Sequence, residues 1–371
     1  MDTDSSAVRV SPSPTEMTEI VEALDHFNGA HADTVVFIAQ HVAKLGPLRD
    51  GELVAADFTT VRFQVQSSDQ ATSVEWSFPE PVSSVPEIQA HLFTLLGAAR
   101  AAAPDGEPTS LEREMRVSGT LPTTHVTVRS ARLLTPWLRE LTLQGLPGHL
   151  SGGGDEFVLV IPPEPGQDRL PSDATMQSLR DRPADQIPPM AYYTVREWDH
   201  ETDEVTLWCV LHDHDGGVAS WVATAAPGDP CALWGPREGF AIGDASTVLL
   251  AVDETGIPAA WAVVEAAGPE VAIRVIAEVP DDVVLPPVPE HPGLSVEWHS
   301  RAGAAAGTTS LLTDAIATTS PPTIEQQSEL VVLAATETRT ATAIRRMVRD
   351  DWGLPATQVS CVGYWRRRPT P

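Results

Sequence analysis

From Thr15 to Ala43 one face of a helical wheel carries Ile20, Leu24, Phe27, His31, Val35, Ile38 and Val42, so the spacing predicts a helix. Residues 53–66 and 73–79 alternate instead, with Val61, Phe63 and Val65 on one face, and predict strands. A second helix is expected from Pro86 to Ala103, with proline near its start, where a missing N–H costs least. Pro104 to Leu111 is rich in turn-forming residues and reads as a linker. Beyond it the pattern turns to short strands: His125–Arg132, Arg139–Leu143, Glu156–Ile161, Tyr192–Trp198 and Glu204–Leu211, divided by Pro/Gly turns, with a helix at Ser220–Thr224. The polar loop from Glu164 to Pro188 is long enough to be functional or disordered. From about residue 241 strands and helices alternate: Val248–Val252, a helix Pro258–Ala267, Val271–Ala277, Leu294–Trp298, a helix Thr309–Ala317, Leu330–Ala335, a helix Thr338–Trp352 and Val359–Tyr364.

Three domains follow. Residues 15–103 form an α+β domain, 113–240 an antiparallel β-barrel, and 241–371 an α/β domain with a parallel, doubly wound sheet. A barrel followed by such a sheet is the plan of flavin reductases of the ferredoxin-reductase type.

The charge balance narrows the partners. The chain has 51 acidic residues against 24 basic ones, of which only Lys44 is lysine, and a net charge of −27. Such a field repels nucleic-acid backbones and anionic lipid surfaces. No segment reaches the ~18 uninterrupted apolar residues of a membrane span. Residues 1–14 lack a basic start and an apolar stretch, so a cytoplasmic protein without a secretory signal is expected. Cys209, Cys231 and Cys361 form no CxxC pair and are read as buried thiols, with no iron–sulfur cluster or structural zinc.

Two stretches could carry chemistry. In Met190–Arg196, a strand would put Ala191, Tyr193 and Val195 on one face and Thr194 and Arg196 on the other. In Leu211–Trp221, Gly216 and Gly217 lead into a helix whose N–H groups could cradle phosphate. His212 and His214, with Asp213 and Asp215, suggest metal ligands, but no third ligand is close on the same side.

The order YTVR, LH-x-x-x-GG-x-x-x-W, GPREGF, DETGIPA and a final GYWRR resembles the siderophore-interacting protein family over about residues 113–367. The resemblance implies a flavin-binding barrel, a ferredoxin-reductase-like (Rossmann-like) domain, and FAD passing electrons from NAD(P)H or a ferredoxin to a ferric siderophore, released as Fe(II). It assigns Tyr193 and Thr194 to the flavin ring and Arg196 to the arginine that follows. His212, Gly216, Gly217, Val218, Ser220 and Trp221 fall to the phosphate loop and its helix. Asp253, Thr255 and Pro258 match the first turn of the nucleotide domain, Glu337 a later acid, and Tyr364, Trp365, Arg366 and Arg367 the closing strand, with Trp365, Arg366 and Arg367 facing the iron chelate. No catalytic acid, base or metal ligand is implied, because the reaction is electron transfer.

Four positions depart from the family pattern: Ala191 stands for an arginine, Val252 and Thr336 for glycines, and Leu159 for a lysine. Ala191, Val252 and Thr336 favour the alternative of a non-catalytic or weakly flavin-dependent binder of haem or a ferric chelate. Arg345, Arg346 and Arg349, with Arg366, Arg367 and Arg368, cluster near the C-terminus as a candidate anion site or a salt-bridged helix and solvated tail. Residues 17–102, through His26–Asp33, Ala56-Asp57-Phe58 and Phe78–Pro81, resemble an accessory domain that also ends split-barrel haem-utilisation proteins. His31 is read first as a core histidine, and as a haem ligand, with His26, second.

Overall fold

The computed structural model describes residues 11–45, 47–67, 70–118, 123–146, 154–163, 176–180, 182–183, 186–211, 217–281 and 283–367. They fall into two compact units, Met1–Arg113 with Arg345–Val362, and Glu114–Ile344 with Gly363–Pro371.

In the first unit α1 (Pro14–Ala30) and α2 (Ala32–Ala43) precede an antiparallel sheet of β1 (Asp50–Ala56), β2 (Thr60–Gln66) and β3 (Ala71–Ser77), followed by α3 (Val85–Ala102). The single helix expected over 15–43 is two, broken at His31 (φ −133°, ψ 41°). Periodicity hides the break because both helices turn apolar residues into one core: Ile20, Leu24 and Phe27 meet Val35 and Ile38 over Val61 and Phe63. Just before the break, Asn28 is pinned to the backbone of Leu53, accepting from its N–H at 2.9 Å and donating to its carbonyl at 2.8 Å. The run 53–66 is likewise two strands. Asp57 Oδ1 accepts from the N–H groups of Thr59 and Thr60 at 2.7 and 2.8 Å and turns the chain between them. The expected linker ends in a helix, α4 (Ser110–Ser118).

His31 is 6 % exposed, with Nδ1 3.3 Å from the Ser110 hydroxyl and its ring edge-on to Phe27 and His26. This is the core reading, and the haem-utilisation reading of this unit has no support. Arg345 and Arg349 also leave the candidate anion site. Arg345, 4 % exposed, is bonded to Asp25 at 2.7 Å and to Glu52, and Arg349 to Asp50 at 2.6 Å. Two arginines and three acids, all buried or half-buried, pair there within the unit, which is the salt-bridged alternative.

The second unit opens with a closed barrel of β4 (Thr123–Thr135), β5 (Leu138–Gln144), β6 (Gly154–Ile161), β7 (Ala191–Asp199), β8 (Glu204–Val210) and β9 (Pro230–Ala241), in the order β4-β5-β8-β7-β6-β9. Val126, Leu141, Leu143, Val158, Val195 and Leu207 fill it. Between strands lie α5 (Met176–Arg180), inside the expected long loop, and α6 (Gly217–Thr224). β9 is the strand that Gly/Pro punctuation concealed. At Gly235 (φ +131°) a Cβ would stand 3.1 Å from the Phe157 carbonyl oxygen, so glycine lets β9 pass close to β6 while the register shifts.

The remainder is α/β: β10 (Thr247–Val252), α7 (Ile257–Ala266), β11 (Ala272–Val279), β12 (Leu294–Ser300), α8 (Leu311–Thr318), α9 (Ile324–Gln327), β13 (Leu330–Glu337), α10 (Thr338–Arg346) and β14 (Val359–Trp365). The sheet order is β12-β11-β10-β13-β14, and β10 runs parallel to both β11 and β13. Val248, Leu249, Leu250, Ala251 and Val252 are all buried, as a strand covered on both faces requires. The helix expected to Trp352 continues past α10 only as a π turn at Met347–Asp351. The fold class expected from the pattern is therefore the observed one. Among the described residues no helix is long and apolar enough to cross a membrane, and the three cysteines are buried and form no disulfide.

Candidate functional site

Parallel register aligns the ends of β10 and β13, with Val252 opposite Ala335, and sets Asp253 beside Thr336 and Glu337. Asp253 is 3 % exposed and saturated. Its Oδ1 accepts from the Thr255 N–H (2.9 Å) and hydroxyl (2.5 Å). Its Oδ2 accepts from the Thr336 hydroxyl (2.9 Å), the Glu337 N–H (3.0 Å) and the Trp365 indole N–H (2.7 Å). Thr336, where the family pattern has glycine, thus contributes a donor. Glu337 turns its carboxylate onto the N–H groups of Arg339 (2.7 Å) and Arg367 (3.2 Å). Gly256, before α7, meets the Ala335 carbonyl so closely that a Cβ would lie 2.1 Å from its oxygen. Next along this edge, Arg301 forms a two-pronged bond to Glu254 (both 2.6 Å) and a third contact to Glu278 (3.3 Å), all buried. Burial pushes the Glu254 carboxyl up, against the pull of the Arg301 guanidinium.

On the barrel, β7 alternates as its sequence predicts. Ala191, Tyr193 and Val195 pack toward the barrel core, and burial pushes the Tyr193 phenol well above its ordinary value. Thr194 and Arg196 lie on the opposite face. The Thr194 hydroxyl donates to Asp155 Oδ1 at 3.1 Å, and the Tyr364 hydroxyl donates to Asp155 Oδ2 at 2.6 Å. Asp155 is 4 % exposed, and burial raises its carboxyl above its ordinary value although both hydroxyls pull it down. Arg196 is bonded twice to Glu265 of α7, at 2.7 Å and 2.5 Å, and lies over the Trp208 ring. Its charge is therefore already matched by a carboxylate.

The third group lies on α6. Gly217 opens the helix at φ +70° with nothing within 4 Å of a Cβ position, while the far end is closed by Arg139, bonded to the carbonyls of Val222, Ala223 and Ala225. The start of α6 carries the positive end of the helix dipole, which suits an anion such as a diphosphate. Val218 is buried, and Trp221 packs on the barrel core. His212 and Gly216 lie outside the described residues, as does Arg368. Arg366 and Arg367 follow β14 with exposed side chains.

The structure thus joins Thr194 to Tyr364 through Asp155, and Asp253 to Thr255 and Trp365, while α6 forms a separate group. Asp155 was missed by sequence reasoning. The expected strand, Glu156–Ile161, began one residue after it, and only the burial of its carboxylate on β6 (Gly154–Ile161) marks it out.

Known proteins give the class. Residues 127–240 match the siderophore-interacting FAD-binding domain, and residues 245–368 match the siderophore-interacting protein model. The chain belongs to the siderophore-interacting protein family. An uncharacterised protein of Mycobacterium tuberculosis is 34 % identical over 215 residues, 54 % of this chain and 74 % of the relative. The crystal structure of a siderophore utilization protein from T. fusca is similar with a TM-score of 0.58 and 29 % identity, over 67 % of this chain and 95 % of that one. The ferric acinetobactin reductase of Acinetobacter baumannii is 23 % identical over 186 residues, 50 % of this chain and 63 % of that protein.

Proposed function

We propose that this chain is a cytoplasmic FAD-dependent reductase of ferric siderophores that draws electrons from NAD(P)H or a ferredoxin and releases iron as Fe(II). In this reading residues 15–103 are an accessory domain, 113–240 the FAD-binding barrel and 241–371 the nucleotide-type domain. The carrying observation is that β7 offers Tyr193 on one face and a buried, hydrogen-bonded Thr194 hydroxyl on the other, inside a chain of this family. The similarity to a ferric acinetobactin reductase supports the same chemistry.

FAD, when bound, accepts electrons in pairs and passes them singly to iron. Tyr193 and Thr194 position the ring. The start of α6, with Gly217, Val218 and Ser220, holds the diphosphate together with His212 and Gly216, and Trp221 anchors that helix to the barrel. Asp253 and Thr255 shape the sheet edge toward the electron donor. Trp365, Arg366 and Arg367 meet the iron chelate, whose carboxylate or catecholate oxygens suit exposed guanidiniums. Arg196 serves by fixing β7 to α7 through Glu265.

The test is an absorbance titration of purified protein with FAD, then anaerobic NADH, NADPH or reduced ferredoxin, then a ferric chelate. Saturable FAD binding, bleaching by a donor and reoxidation that tracks Fe(II) formation are expected. No FAD binding well above micromolar concentrations would remove the enzyme reading in favour of a non-catalytic chelate binder.

A further inference from the structure

Strand register builds a patch on the outer face of the barrel, in two rows across β7, β6 and β9. Thr194, Phe157 and Arg237 form one row, and Tyr192, Leu159 and Trp234 the next. The alternate residues Val158, Val160, Tyr193 and Val195 pack on the barrel core, so this patch faces away from it. The Arg237 guanidinium lies over three of its rings, 4.7 Å from the centroids of Phe157 and Trp234 and 5.1 Å from that of Tyr192. Its side chain is only 9 % exposed. Nη1 donates to Glu114, while Nε is buried without a hydrogen-bond partner among the described residues, so ring faces hold much of this cation. Leu159 and Trp234 are buried too. Tyr192 is the exception. It is 50 % exposed, although Phe157 braces it edge-on at 5.4 Å and Arg237 lies against its ring.

We propose that Tyr192, backed by Arg237, is a subsite that stacks on a catecholate ring of the ferric chelate and gives this chain a preference for catecholate over hydroxamate siderophores. This deepens the proposed function and rests on its assignment of Thr194 to the flavin ring. Tyr192 follows Thr194 by two places on the same face of β7, and Phe157 stands directly across from Thr194, so a ring seated on Tyr192 brings its iron beside the flavin contact. The chemistry selects the ligand. The face of an aromatic ring is negative, and a cation against it draws that charge away. The Tyr192 ring therefore stacks best on an electron-rich partner. A catecholate is such a partner, because its two ring oxygens carry the negative charge that binds Fe(III). A hydroxamate binds Fe(III) through oxygens on an open chain and has no ring to stack. Bracing by Phe157 and Arg237 holds the tyrosine in place before the ligand arrives, so little side-chain freedom remains to be lost on binding.

The experiment titrates the full chain with two gallium(III) chelates, the tris-catecholate of enterobactin and the hydroxamate of desferrioxamine B, by isothermal calorimetry. Gallium takes no electrons, so binding is read without turnover. Wild type, Tyr192→Ala, Tyr192→Leu and Tyr192→Phe are compared, each checked by near-UV circular dichroism. None of these substitutions changes the charge of the protein, so the difference in charge between the two chelates cancels when variants are compared. The wild type is expected to bind the catecholate more tightly. Tyr192→Ala and Tyr192→Leu are expected to reduce that preference about tenfold, and Tyr192→Phe to keep it. Tyr192→Leu separates ring stacking from plain apolar contact. No preference in the wild type, equal losses for both chelates, or a preference that survives in Tyr192→Leu would each overturn the proposal while leaving the reductase reading intact. The expected pattern in a protein that takes up no FAD would support the subsite and overturn the reductase reading.

Discussion

Trp365 donates its indole N–H to Asp253 at 2.7 Å, so the last strand of the sheet is bonded to the end of a strand two places away. β13 lies between them and contributes Thr336 and the Glu337 N–H to the same oxygen. With the Thr255 pair, five donors converge on one buried carboxylate. Asp253→Ala strands most of them and is expected to cost about 3 kcal/mol or more, since each buried unmet donor costs about 1–3 kcal/mol. Trp365→Phe removes one bond and is expected to cost about 1–2 kcal/mol. Urea denaturation of the variants measures both, and equal costs would show that Asp253 is not the hub.

Arg345 is the second buried charge on which stability depends. Its guanidinium holds Asp25 and Glu52 inside the first unit. Arg345→Ala leaves two carboxylates without their cation and is expected to lose about 3–5 kcal/mol. Arg62, paired with Glu75 across β2 and β3 with both side chains about half exposed, provides the contrast. Arg62→Ala is expected to change the unfolding free energy by less than about 1 kcal/mol. Similar losses in the two denaturation curves would contradict the assignment of Arg345 to a buried network.

The contrast between these residues also explains what the sequence made legible. Period and punctuation located nearly every strand of the barrel and of the parallel sheet, because burial on one or both faces leaves a repeating apolar pattern. They failed where the backbone changed course without changing its burial. His31 breaks a helix whose apolar stripe continues, and β9 runs through Gly235-Pro236, where no strand was expected. Tyr193 and Thr194, proposed to position the flavin ring, stood out through motif order. Their partner Asp155 did not, because the link between β6, β7 and β14 exists only in three dimensions. The arginines at 345 and 349 illustrate the same point. Their clustering was visible, but the acids that neutralise them lie about 300 residues earlier in the chain.

Two carboxyls shift in opposite directions and give opposite pH dependences. The Arg100 guanidinium, hydrogen-bonded to Glu112 at 2.8 and 2.6 Å, holds the Glu112 carboxyl at about 2 against an ordinary value of 4.5. A depressed folded value stabilises above 4.5, and that stability is lost as pH falls from there toward 2. Glu112→Gln is therefore expected to flatten the acid limb of the unfolding free energy. Asp155 is raised by burial, so its contribution is fully present below 3.8 and is lost as pH rises through its folded value. Asp155→Asn should gain on the wild type as pH increases. Denaturation midpoints from pH 2 upward, taken for both variants, check the two signs together.

FAD affinity offers the sharpest test of how far the departures from the family pattern matter. Ala191 begins β7, shares its face with Tyr193 and pairs with Val160 on β6. In the family pattern an arginine stands there and meets FAD phosphate. A charge-assisted contact of this kind contributes about 1.5–3 kcal/mol, so Ala191→Arg is expected to tighten FAD about tenfold or more. The long side chain can run its methylenes along the barrel face and place its head at the rim, which limits the cost to packing. Gly217→Val is expected to act the other way, because φ +70° disfavours a β-branched residue at the start of α6 and the added side chain narrows the open helix end. Quenching of FAD fluorescence during titration yields both dissociation constants. Unchanged affinity in Ala191→Arg, with FAD bound tightly by the wild type, would mean that the diphosphate is held by α6 alone.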